Sequence, residues 1–130
     1  DLNQPERAEA ARRRGLTAAE KRLALHPDDV RALYMGANAM VAIGEHERGL
    51  EWAQRALALD PDDAMLLYNM ACIYAMAGRG SQALDFIERS VRAGMNRLAW
   101  LQNDSNLDAI REDPRFQAVL RELERALLPG

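Results

Sequence analysis

The chain has 130 residues, 48% of them apolar and 28% charged, with a formal net charge of −3. That is enough for one domain with a core of its own, and it lacks the basic footprint that sequence-independent nucleic-acid binding needs. The lone Cys72 excludes an internal disulfide and fits a reducing, cytoplasmic setting, and the longest apolar run, residues 64–77, falls short of the ~20 residues of a membrane span.

No stretch alternates with period two, so the expected fold class is all-α. Asn3 and Pro5 predict a helix start, and that helix runs to about Leu25 with Leu16, Ala19 and Leu23 inward. Asp28 or Asp29 caps a second helix striped by Val30, Leu33, Ala37, Met40 and Val41, and Gly44 ends it. A third helix spans about 45–59, with Leu50, Ala53, Ala56 and Leu57 inward. Asp62 or Asp63 caps a fourth over about 64–77, closed by Gly78. A fifth, about 80–93, turns Ala83, Leu84, Ile87 and Val91 inward. Beyond Gly94 come a short helix with Leu98, Trp100 and Leu101, a polar turn at 103–106, and a plug made by Leu107 and Ile110. Asp113-Pro114 starts a seventh helix whose apolar face is Phe116, Val119, Leu120, Leu123 and Leu127. The chain opens on Asp1 without an initiating Met or a signal peptide, which predicts a piece of a longer or processed protein.

The elements recur. His26-Pro27-Asp28-Asp29 returns as Asp60-Pro61-Asp62-Asp63, 34 residues on, and Leu23, Leu25 and Gly44 return as Leu57, Leu59 and Gly78. A fixed period of this length marks stacked helical units that bury their apolar faces on one another. With Leu33, Ala37, Gly44, Ala56, Leu57 and Pro61 in one unit, and Leu67, Ala71, Tyr74, Gly78, Ala83 and Leu84 in the next, the chain resembles the tetratricopeptide repeat family. Gly36, Met40 and Gly49 depart from the pattern, which favours leucine, an aromatic residue and alanine there. The resemblance implies a right-handed α-solenoid of antiparallel helix pairs, about seven helices in a single domain. Its parts would be a half repeat at 5–27, repeats at 28–63 and 64–97, and a degenerate closing unit at 98–130. The tail from Trp100 to Phe116 resembles the end segment of bacterial repeat arrays attached to nucleotide cyclase or protein kinase modules, which implies a regulatory or docking region.

The residues with chemical potential have plainer explanations. His26 and His46 have no partners at ligand spacing, so no metal or cofactor is expected. Cys72 sits in an apolar helix and reads as a buried, inert thiol. The paired aspartates recur as helix caps, Gly78-Arg79-Gly80 follows no strand, and the run 12–14 of three arginines reads as a solvated helix face. No nucleophile with a base and an orienting group is visible, so an enzyme is not expected. Asn38 and Asn69 stand where a subgroup of the family grips a terminal carboxylate, but Tyr34, Ala99 and Asn103 replace that clamp's basic residues.

The fourth helix is apolar all round except for Asn69. It is either an extra core covered by the chain's own ends or one wall of a methionine-rich groove. The groove reading predicts a binding surface of Tyr34, Met35, Asn38, Val41, Met65, Tyr68, Asn69, Cys72 and Met76, taking a protein or peptide segment. In that reading the asparagines bond the partner's backbone, and Tyr68→Asp abolishes binding without loss of helix. Homodimerisation is the alternative, and a small-molecule or enzymatic domain comes after it.

Overall fold

A computed structural model describes residues 3–128. All regular structure among them is helical: α1 (Gln4–Leu25), α2 (Val30–Ala42), α3 (His46–Leu59), α4 (Ala64–Met76), α5 (Gly80–Arg92), α6 (Leu98–Asn103), a 3-10 turn (Ser105–Leu107) and α7 (Pro114–Leu127). The chain forms two compact units, Asp1–Pro61 and Asp62–Gly130. No described helix is long and apolar enough to cross a membrane.

The expected punctuation is present in both units. Asp29 accepts from the Ala32 N–H at 3.0 Å, and Asp63 accepts from the Leu66 N–H at 2.8 Å. Each satisfies an amide that a helix start leaves without a backbone partner. Arg22 Nε also donates to Asp29 at 2.7 Å. The Ala32 amide, first, and the guanidinium hold the Asp29 carboxyl below its usual range. Gly44 and Gly78 take φ of 93° and 78°. Their left-handed turns let the Glu45 and Arg79 amides bond back to the carbonyls of Met40 and Tyr74, at 2.8 and 2.9 Å. A methyl group at Gly78 would touch nothing within 4 Å. Gly78→Ala is therefore expected to cost about 1–2 kcal/mol by backbone strain alone, read as a lower midpoint in urea with an unchanged slope.

In the first unit, α1 packs on α2, and α2 pairs antiparallel with α3 across a three-residue turn. Leu16, Ala19, Leu23, Leu33, Ala37, Met40, Ala53 and Ala56 are buried, whereas Leu50 and Leu57 are only half-buried. The two odd glycines are explained here. The Trp52 ring of α3 lies against α2 where a Cβ at Gly36 would sit, 2.5 Å from that point. Gly49 admits the Val41 side chain and the Ala37 carbonyl, at 2.7 and 3.0 Å from its own Cβ position. The apolar volume absent from α2 at residue 36 is supplied by Trp52 from α3.

In the second unit, α4 and α5 form the same antiparallel pair, and α7 packs on α5 and α6. Ala83, Leu84 and Ile87 are buried, with Val91 half-buried. Tyr74 meets Phe86 with ring centroids 5.0 Å apart. Leu107 and Ile110 plug the core as expected, and Phe116 is wholly enclosed. Leu127, placed on the inward face of α7 by its spacing, is instead 48% exposed, at the last position of the helix. Arg115 Nη2 bridges α7 to α5 through Asp85 at 2.6 Å and Glu88 at 2.7 Å.

Candidate functional site

The expected binding residues lie on α2 and α4, the first helix of each repeat. Positions 34 apart correspond: Arg31 with Met65, Tyr34 with Tyr68, Met35 with Asn69, and Asn38 with Cys72. The two faces differ in what lies over them.

On α2 the face is open. Met35 is 50% exposed, and Tyr34 and Asn38 are half-buried. Val41 does not belong to it. Its side chain turns toward α3 and packs at Gly49, which leaves it 3% exposed and in the core.

On α4 the face is largely occupied by the unit's own closing segment. Tyr68 is 3% exposed and Cys72 2% exposed. The Trp100 ring lies against Tyr68, centroids 5.7 Å apart and planes tilted by 49°. The Tyr68 hydroxyl donates to Asp104 Oδ2 at 2.7 Å, and Cys72 Sγ lies 3.8 Å from the same oxygen. Tyr68 and Cys72 are thus interior groups and offer no free surface, which also removes the rationale for Tyr68→Asp as a surface change. Of the other expected residues, Met65 is 37% exposed and Met76 half-buried. Asn69 is half-buried, and its Nδ2 donates to the Met65 carbonyl of its own helix at 2.9 Å.

Asp104 is the hub of this cover. Its Oδ1 accepts from the Asn106 N–H at 3.0 Å and so caps the 3-10 turn. Its carbonyl accepts from Arg111 Nη2 at 2.6 Å. Arg111 also reaches the Leu101 carbonyl at 3.4 Å and pairs with Asp108. The Arg97 guanidinium lies 5.4 Å from the centre of the Trp100 ring, a cation–π contact. Burial, and then the hydrogen bond to Asp104, push the Tyr68 phenol far above its ordinary range. Burial and the Asp104 charge do the same to the Cys72 thiol, which stays protonated and unreactive.

Trp100 and Asp104 were visible in the sequence only as part of a short helix and a polar turn. The signal that pointed to them was indirect: a helix as uniformly apolar as α4 needs a cover on every side. Among the described residues no three His, Cys, Asp or Glu side chains converge as metal ligands would.

The sequence model of the tetratricopeptide repeat family matches residues 52–85. The matched stretch contains the whole of α4 with its aspartate cap and its closing glycine. Repeats of this kind are generally non-catalytic modules for protein–protein interaction. No curated protein is significantly similar to the chain.

Proposed function

We propose that this chain is a non-enzymatic scaffold for protein recognition, and that it takes a partner segment on the open face of α2. It would serve as the docking or regulatory region of a larger cytoplasmic bacterial protein, a reading suggested by the likeness of its tail to arrays carried by cyclases and kinases. The observation that carries the proposal is the exposed Met35 on a face whose counterpart on α4 is covered by a polypeptide segment. Methionine is flexible and polarisable, and suits a surface that adapts to an apolar side chain. Of the expected residues, Tyr34, Met35, Asn38 and Met65 remain available on their own units.

Burying one large apolar side chain there contributes about 1.5–3 kcal/mol, and association entropy offsets much of it, so binding should be micromolar. Panning a random dodecapeptide library on the chain tests this. Enriched peptides are expected to lose at least tenfold in affinity for Met35→Glu while the circular dichroism of the variant matches the parent. Failure to enrich any peptide, or equal binding to the variant, would sink the proposal.

Self-association is a second reading, favoured by one feature: Leu127 and Leu128 at the end of α7 are 48% and 69% exposed. Light scattering over a concentration series separates a dimer from a monomeric adaptor.

A further inference from the structure

The second unit displays a worked example of what a first-helix face of this chain accepts. Its ligand is a helical turn with an aromatic ring at one position and a carboxylate four residues later, Trp100 and Asp104. Tyr68 receives both: its ring meets the indole, and its hydroxyl donates to the carboxylate.

The corresponding face of α2 retains the tyrosine and exchanges the residues around it. Asn38 replaces Cys72, so an amide N–H stands where a weak thiol donor stood. Arg31 replaces Met65, which adds a fixed positive charge. Positions 31, 34 and 38 fall at i, i+3 and i+7, on one side of the helix. Arg31 is exposed, and Tyr34 and Asn38 are half-buried. None of the three side chains forms a hydrogen bond or an ion pair among the described residues. Three unused donors, one of them cationic, lie along the side of α2 that corresponds to the side of α4 where a tyrosine hydroxyl and a thiol meet Asp104. Each exchange adds a stronger donor for a carboxylate. Met35, next in the chain, is exposed and suits contact with an aromatic ring.

We propose that Arg31, Tyr34 and Asn38 form a recognition site for a short helical segment of a separate polypeptide, one bearing an aromatic residue and a carboxylate four residues further on. The inference rests on the recognition reading above and names the class of partner. Such a segment would place its ring on Tyr34 and Met35 and its carboxylate among the three donors.

The probe is a synthetic peptide with the sequence of residues 97–108, titrated onto the intact chain by calorimetry. Saturable micromolar binding is expected. Tyr34→Phe and Asn38→Leu should each weaken it by about tenfold, the usual worth of a hydrogen bond to a charged acceptor. Asp104→Asn or Trp100→Ala within the peptide should do the same. Tyr34→Phe removes only a hydroxyl, so circular dichroism should report an unchanged fold. Three results would overturn the site: no saturable binding, full affinity in both Tyr34→Phe and Asn38→Leu, or a loss confined to Tyr68→Phe, which means that the peptide merely replaces the chain's own segment on α4. Dimerisation of the chain abolished by Tyr34→Phe would transfer the site to a second copy and overturn the assignment to a separate partner. Library peptides that need Met35 but carry no aromatic–acid pair would leave the recognition reading standing and remove this one.

Discussion

Asp104→Ala is expected to open the closing segment of the second unit and to bring the Cys72 thiol within reach of a water-soluble disulfide reagent. The substitution removes the acceptor of the buried Tyr68 hydroxyl and the cap of the 3-10 turn. A buried donor left without a partner costs about 1–3 kcal/mol, and a lost cap about 1 kcal/mol more. A combined loss of about 2–4 kcal/mol should appear in urea unfolding. Labelling of Cys72 should accelerate by about thirtyfold or more if opening of the segment limits the reaction. Electrostatics acts in the same direction. Burial first, and the Asp104 carboxylate second, raise the thiol's pKa. Removing the charge and admitting water both lower it toward the ordinary value, so more thiolate is present at a given pH.

Tyr68→Phe in the Asp104→Ala background provides the control. It deletes the orphaned hydroxyl, so the double variant should be more stable than Asp104→Ala alone. An unchanged labelling rate in Asp104→Ala would mean that the closing segment holds α4 by its apolar contacts alone and that the hydrogen bond is incidental.

Gly36→Leu is the second large effect. A Cβ at residue 36 would lie 2.5 and 2.7 Å from two carbons of the Trp52 ring and 3.3 Å from the Ala19 Cβ. The ring is half-buried and packs beside Leu16, Ala39 and Met40, so it yields only by giving up those contacts. Glycine in a helix is itself unfavourable by about 1 kcal/mol relative to alanine, so the substitution gains propensity while it loses packing. Overpacking of a core costs about 1–3 kcal/mol for added methylenes. A full leucine under an indole lies at the upper end, and the net expectation is a loss of about 2 kcal/mol. Trp52→Ala alone should also destabilise, by about 2–3 kcal/mol, through the cavity it leaves. Combining the two puts a leucine on α2 and removes the ring it would strike. Their costs should then fall short of additivity by at least about 1 kcal/mol in a double-mutant cycle. Strictly additive losses would show that residues 36 and 52 do not exchange volume.

Gly36 was visible as an anomaly at a position where the repeat pattern favours leucine. Its remedy, an indole supplied by α3, was not, because no rule of helical spacing links residue 36 to residue 52. Asp104 was visible as one residue of a polar turn. Its bond to Tyr68 spans 36 positions, well beyond any local periodicity. Tyr34 and Tyr68 are alike in the sequence and hold equivalent repeat positions, yet one lies on an open face and the other is sealed.

The helices themselves were determined by the sequence alone. Aspartate caps, glycines that accept a left-handed turn and apolar stripes of helical period all act within a few residues, so their consequences can be read in order along the chain. Which helix face stays open was decided only by tertiary structure. Coverage depends on where a distant segment comes to rest, and in the second unit that was settled by an indole, a carboxylate and a phenol meeting across three dozen positions.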